Sequence, residues 1–233
     1  MVRLSSADIA RMIDVSAVKA EDSEQDVRRM VETARAFGCV AVIPLPAMTP
    51  LAVRLLEGDP RVAAGGVAGF PSGGETTSTK VFQAREMIEA GCTEIDMVLN
   101  VGLLRSGRNA AVTDDIRAVV RACGRVPVKV ILECHHLAEQ EILAGCDCIV
   151  QAGAAWVKTS TGWPPTGATP QNISLIKARV GEAVGVKAAG GIRNLATLLD
   201  LYSRGARRFG LGWRTATAIL EEARAHAEGV PIS

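Results

Sequence analysis

The sequence predicts a (β/α)8 barrel, folded as a single domain over residues 1–233. Three observations carry the prediction. Short apolar runs alternate with amphipathic, charge-bearing segments along the chain; the runs number eight; and 233 residues suit an architecture of roughly 250. A doubly wound open sheet alternates in the same way, so the alternation argues for parallel strands more directly than for closure.

The apolar runs fall near Arg11–Val15, Cys39–Ile43, Val62–Phe70, Glu94–Leu99, Pro127–Glu133, Ala155–Thr159, Val184–Ala188 and Arg208–Leu211. Helical periodicity fills the intervals at Ser23–Ala36, Ser78–Ala90, Ala110–Cys123, Ala138–Ala152, Thr169–Ala178, Asn194–Ser203 and Thr215–Glu228. In the first of these, Val27, Met30, Val31 and Ala34 share one face, and Arg and Glu occupy the other. The N-terminal stretch Met1–Asp14 reads as an amphipathic helix.

Composition narrows the function classes. Hydrophobic residues make up 48% of the chain and aromatics only 3%, a mix of small and branched side chains suited to parallel strands covered by helices. The net charge is +1, with no basic tail and no basic–aromatic interleaving, so nucleic acid is not an expected partner. No apolar stretch approaches a membrane span, and the N-terminus lacks a signal-peptide core, which makes a cytoplasmic location the expectation. Six cysteines occur without a Cys-x-x-Cys pair, and reduced thiols are expected. Of the pair in Cys146-Asp-Cys148, one is expected to be buried and the other partly exposed.

Four of the apolar runs carry charged residues. Asp96 lies in Glu94-Ile-Asp-Met-Val-Leu-Asn100, Lys129 and Glu133 in Val128-Lys-Val-Ile-Leu-Glu133, Lys158 in Trp156-Val-Lys-Thr-Ser-Thr-Gly162, and Lys187 in Val186-Lys-Ala-Ala-Gly-Gly-Ile-Arg193. A lysine in a buried strand costs free energy unless it is paired or neutral. Any one of these residues is explained by an exterior position or a structural ion pair. Lys158 and Lys187 together, each just before a glycine-bearing loop at the C-terminal end of a strand, point instead to a barrel active site.

Two lysines and a carboxylate suit imine formation with a carbonyl. The amine nucleophile must be uncharged, and burial or a second cation favours that form. Lys158 is the candidate nucleophile, Lys187 the second cation, and Asp96 the group that bridges them and moves protons. Lys129 reads as structural.

The glycines of Ala189-Gly190-Gly191-Ile-Arg193 and Phe209-Gly210-Leu-Gly212 follow the seventh and eighth runs, where barrels often hold a phosphate on backbone N–H groups. Tight turning alone would explain one such pair, but two glycine turns at the usual phosphate position favour the phosphate reading. His135 and His136 beside Cys134 fit no standard zinc spacing, and no metal is expected there.

These segments together resemble the deoxyribose-phosphate aldolase family over about Ala10–Glu222. The pieces that carry the resemblance are Glu94–Gly102, Lys129–Glu133, Val157–Gly162, Thr166-Gly-Ala-Thr169, Val186–Arg193 and Gly69-Phe-Pro-Ser-Gly-Gly-Glu-Thr76. The resemblance implies reversible cleavage of 2-deoxyribose 5-phosphate to acetaldehyde and glyceraldehyde 3-phosphate. It implies Lys158 as the imine-forming residue, and Lys187 with Asp96 as the proton relay. Gly162, Gly190, Gly191 and Gly210 match the phosphate side, Asp14 matches an aspartate of the first strand, and Ser16 stands where a substrate-contacting threonine is usual. Thr159, Gly212 and Arg214 join the candidate substrate contacts. No metal or organic cofactor is implied, and a homodimer is the family's common assembly.

The chain departs from the family pattern in four places. Gly210-Leu-Gly-Trp-Arg214 replaces a Gly-x-Ser-Ser, Asp14-Val-Ser16 replaces an Asp-His-Thr type of motif, Ile43-Pro44 replaces a cysteine and an aliphatic residue, and Glu133-Cys-His-His136 replaces a Glu-Thr with apolar followers. Arg214 reads either as a bidentate anion contact or as a solvated helix residue. The departures leave two alternatives open: a divergent aldolase for another phosphorylated or carboxylated substrate, or a sugar-phosphate-binding barrel without catalysis.

Overall fold

A computed structural model describes residues 3–226 and 229–231. Eight parallel strands close a barrel: β2 (Ile13–Ala17), β3 (Ala41–Pro44), β4 (Ala63–Ala68), β5 (Glu94–Val98), β6 (Val128–Ile131), β7 (Trp156–Lys158), β8 (Gly185–Ala189) and β9 (Arg208–Gly212). Each pairs with the next, and β9 returns to β2 through Asp14↔Gly210. Each of the eight expected runs overlaps one of these strands; four contain it whole, and β2, β3, β8 and β9 run one or two residues past theirs. The short strands β1 (Arg3–Leu4) and β10 (Val230–Pro231) pair antiparallel outside the barrel.

The crossover helices include α2 (Glu24–Phe37), α4 (Thr77–Glu89), α6 (Asn109–Cys123), α7 (Glu139–Ala152), α8 (Pro170–Val180), α9 (Leu195–Ser203) and α10 (Trp213–Ala225). Val27, Met30, Val31 and Ala34 of α2 are buried against the sheet, as their spacing predicts. The main apolar core is this layer between strands and helices. A smaller apolar group, Ala41, Ile43 and Val67 with Val18, lies apart from it.

Several expectations need correction. The amphipathic helix read over Met1–Asp14 is only Ser6–Ala10, where Ser5 and Asp8 form a capping box. Ile13 and Asp14 belong to β2, and Met1 and Val2 lie outside the described residues. The final helix, expected to reach Glu228, ends at Ala225; Ala227 and Glu228 also lie outside the described residues. The second crossover holds a helix, Thr49–Leu56, that the sequence reading missed. Prolines at 46 and 50 disguised it, although proline in a first turn is compatible with helix. The short helix Val101–Arg105 was missed as well. Cys146 and Cys148 are both buried, as are the other four cysteines. Among the described residues, no helix is long and apolar enough to cross a membrane.

Candidate active site

The register of the sheet gathers the charged residues. Lys158 pairs with Lys187, Lys187 with Arg208, and Lys129 with Asp96. Side chains alternate between the faces of a strand, so these inward residues and Glu94, two before Asp96, meet inside the barrel. Asp96 Oδ2 accepts from Lys158 Nζ and from Lys187 Nζ, each at 2.7 Å. Asp96 Oδ1 lies 3.0 Å from Lys129 Nζ, which also reaches Glu94 at 2.6 Å. Asp14 pairs with Lys187 at 2.5 Å and with Arg208 at 2.5 Å, and Arg208 also grips Glu94 at 2.9 Å.

The cluster is almost closed to solvent, with small openings at Lys158, Glu94 and Arg208. Asp14, Asp96, Lys129 and Lys187 are 0% exposed, whereas Lys158 retains 6%. Burial alone would discharge these groups, but the opposite charges around them compete with that. Burial raises the Asp96 carboxyl, and the three surrounding lysines overcome it and hold the group well below its usual range. Asp14 is likewise held down by Lys187, Lys129 and Arg208 against its own burial. Burial lowers Lys129, but Asp96, Asp14 and Glu94 outweigh it, so its ammonium is stabilised. Lys187 has the opposite balance. Its burial, with Lys129 and Lys158 as like charges, outweighs Asp14 and Asp96 and brings it down to about 8. Lys187 therefore gives up a proton more readily than an ordinary lysine, and one carboxylate oxygen of Asp96 links it to Lys158.

Above the cluster a cavity of about 490 Å³ opens at the C-terminal ends of the strands. Lys158, Lys187 and Asp14 form its floor, and Ile43, Val67 and Phe70 contribute an apolar wall. Gly210 leaves room for the lysines: a Cβ there would lie 3.4 Å from Lys187 Cε and 3.9 Å from Lys158 Cε. Gly190 and Gly191 adopt φ of 84° and 88°, values that favour glycine, and both line the cavity. Three cations, Lys19, Arg193 and Arg214, also line it.

Ser16, Gly162, Gly210, Gly212 and Arg214 all line the cavity. Thr159 does not. It is fully buried, and its hydroxyl bridges β7 to β8 by donating to the Ala189 carbonyl and accepting from the Ala189 N–H, so its expected contact with substrate is replaced by a structural one. Arg214 stacks on the Trp213 ring at 4.2 Å and donates to Asp26 at 3.1 Å, which also accepts from Trp213 Nε1 at 3.2 Å. Its side chain is 70% exposed and reaches Asp26 through one nitrogen, which agrees with the solvated helix residue of the two readings. Lys129, read as structural, is wired into the same ion cluster but does not reach the cavity. His135 Nδ1 sits 2.7 Å from the Thr166 hydroxyl, and among the described residues no group of His, Cys, Asp or Glu is placed to hold a metal ion.

Sequence reasoning missed four participants. Arg208 and Glu94 complete the ion cluster. Lys19 donates to the Gly162 carbonyl at 2.5 Å and Trp163 Nε1 to the Val18 carbonyl at 2.9 Å, which ties two loops across the mouth. Glu94 stands two residues before Asp96 on one strand, and that spacing was the available signal. Nothing marked Lys19. Glu133, noted only as a polar strand residue, accepts from the hydroxyls of Ser160 and Thr161 and fixes the loop that follows Lys158.

The arrangement agrees with known proteins. The family model described as DeoC/LacD family aldolase matches residues 9–210. A deoxyribose-phosphate aldolase of Klebsiella pneumoniae is 45% identical over 224 residues, covering 95% of this chain and 90% of that protein. One of Sinorhizobium medicae is 43% identical, covering 95% and 90%. Among solved structures, the aldolase QR15 superposes with a TM-score of 0.89 at 32% identity, covering 95% of this chain and 98% of that one. The Aeropyrum pernix deoxyribose phosphate aldolase, described as a tetramer, superposes with 0.84 at 30% identity, covering 94% and 93%. The family match over most of the chain and relatives above 40% identity agree with the barrel described, and the chain belongs to the DeoC/LacD aldolase family.

Proposed function

We propose that this chain cleaves 2-deoxyribose 5-phosphate reversibly to acetaldehyde and glyceraldehyde 3-phosphate, through an imine on Lys158. The observation that carries the reading is Asp96 Oδ2, which accepts from Lys158 and Lys187 at the floor of the cavity that Lys158 lines.

The neutral Lys158 amine attacks the C1 aldehyde of the open-chain sugar, and the carbinolamine loses water to give a protonated imine. Loss of the C3 hydroxyl proton then breaks C2–C3. Glyceraldehyde 3-phosphate leaves, and the electron pair moves to the imine nitrogen, leaving an enamine. Protonation at C2 and hydrolysis release acetaldehyde and restore the lysine. Lys187 and Asp96 carry these protons, which suits a lysine held at about 8. The phosphate end lies against the Gly190–Gly191 turn, with Arg193 and Lys19 beside it. Ser16, Gly162, Gly210 and Gly212 complete the substrate walls.

Six free, buried cysteines support a reducing, cytoplasmic setting. A homodimer is the proposed assembly.

The test is borohydride reduction in the presence of 2-deoxyribose 5-phosphate, followed by mass mapping. A two-carbon or sugar-phosphate adduct on Lys158, absent from Lys158→Ala, is expected. An unmodified Lys158 in folded protein would sink the reading.

A further inference from the structure

The ion cluster holds four cations, Lys129, Lys158, Lys187 and Arg208, against three carboxylates, Asp14, Glu94 and Asp96. Fully ionised, it would carry one buried positive charge without a counter-charge. Two of the cations are committed. Arg208 cannot deprotonate and is clamped between Asp14 and Glu94, and Lys129 is surrounded by all three carboxylates. The labile proton therefore belongs to Lys158–Asp96–Lys187, whose two amines share one carboxylate oxygen. Resting on the imine reading above, we propose that Arg208 is a positioning residue that acts through charge: its fixed cation, set against Glu94, leaves the Lys158–Lys187 pair one proton short and so supplies the neutral amine.

No other group inside the barrel disturbs this count. At the far end, Cys39 and Cys92 lie near Asp14 and Glu94. Burial first, and those carboxylates second, push both thiols up to about 12, so they stay neutral. Arg11 is the further cation beside Cys39, and its guanidinium donates outward to the Arg61 carbonyl. On the loop side, Glu133 is enclosed by Ser160 and Thr161 rather than by the lysines. Lys19, Asp22, Arg193 and Arg214 stand at the solvent-facing mouth, where screening weakens their influence. The helices packed outside the barrel contribute no charged group to its interior among the described residues: the remaining buried ions are Lys80 with Asp115, and Asp59, which pairs with the exposed Arg61 and Arg35.

The experiment is the pH profile of borohydride trapping at Lys158 in the intact protein with acetaldehyde as probe. Wild type, Arg208→Gln, Arg208→Lys and Glu94→Gln are compared after circular dichroism has confirmed folding. Wild type is expected to trap with a midpoint well below the ordinary lysine value of about 10.4. Arg208→Gln removes the surplus cation and moves the midpoint up by about one pH unit or more, while trapping recovers at alkaline pH. Arg208→Lys keeps the wild-type midpoint. Glu94→Gln removes a carboxylate and moves it down. A purely structural role lowers trapping in both neutral variants without opposite shifts, and that result would overturn the proposal. If neither folds, the wild-type midpoint decides: a value at or above about 10.4 overturns it, and a lower one supports it. Wild type that forms no adduct at any pH instead sinks the imine reading.

Discussion

Replacing Asp115 with alanine is expected to destabilise the protein far more than replacing Asp115 and Lys80 together. Lys80 of α4 is 0% exposed, and Asp115 of α6 is 4% exposed. Their single salt bridge spans 2.7 Å, and the Thr77 hydroxyl donates to the other carboxylate oxygen at 2.7 Å. Asp115→Ala leaves a buried ammonium and a hydroxyl without their acceptor. Breaking a buried pair from one side costs about 3–5 kcal/mol, because the surviving charge stays desolvated. For a chain of this size that is a fall in Tm of roughly 6–20 °C. The double variant Lys80→Met, Asp115→Leu removes both charges while keeping similar side-chain volume, and its expected cost is within about 1–2 kcal/mol of wild type. Urea unfolding followed by circular dichroism gives each free energy, and the single variants Lys80→Met and Asp115→Leu, with wild type and the double variant, complete a double-mutant cycle. The reasoning is refuted if Asp115→Ala loses less than about 1 kcal/mol, or if the double variant loses as much as the single one.

Further outcomes follow from the site. Gly210→Ala is expected to lower Lys158 trapping several-fold, since its Cβ would stand 3.1 Å from the Ala189 Cβ and 3.4 Å from Lys187 Cε, whereas Gly210→Val abolishes trapping by driving its methyls into the lysines. Arg193→Ala is expected to raise KM for 2-deoxyribose 5-phosphate about 10- to 100-fold, the worth of one charge-assisted hydrogen bond, and to leave KM for unphosphorylated 2-deoxyribose little changed in steady-state assays. Lys187 is depressed to about 8 in the folded protein, so between there and about 10.5 the unfolded chain binds more protons at this position and its contribution to stability rises with pH. Urea titrations should show wild type gaining on Lys187→Met across that window, and a flat difference would contradict the shift. Finally, native protein at neutral pH should leave its six thiols unreacted with an aromatic disulfide reagent over minutes, because burial encloses all six and pushes Cys39, Cys92 and Cys146 up to about 12.

The barrel was legible because its two periods are written plainly in the chain. Residues such as Val27, Met30, Val31 and Ala34 repeat with the helical period, and each strand is a short run without competing polar residues on its outer face. Thr49–Leu56 was illegible because Pro46 and Pro50 are ordinary turn signals, and only the tertiary setting shows that Pro50 occupies a helix's first turn. Lys158, Lys187 and Asp96 were legible for a different reason: a charge in an apolar run violates local expectation. Arg208 and Lys19 violate nothing, since each stands at an element edge where a basic residue is common. Their importance comes from residues more than a hundred positions away, Glu94 for Arg208 and Gly162 for Lys19. Thr159 erred the opposite way, because a hydroxyl beside the nucleophile looks like a ligand until its two hydrogen bonds to the Ala189 backbone are seen.

The seven charges inside the barrel come from six different strands, and they hold one another's protonation in place. None can change alone without stranding a partner, so viable paths of descent must alter them in compensating sets or not at all. The mouth is under no such bond. Lys19, Arg193 and Arg214 reach solvent, and each can be exchanged without unbalancing the floor. Inheritance in this barrel is therefore divided by depth: the reaction is locked at the bottom, and the choice of what enters is left open to drift and selection at the top.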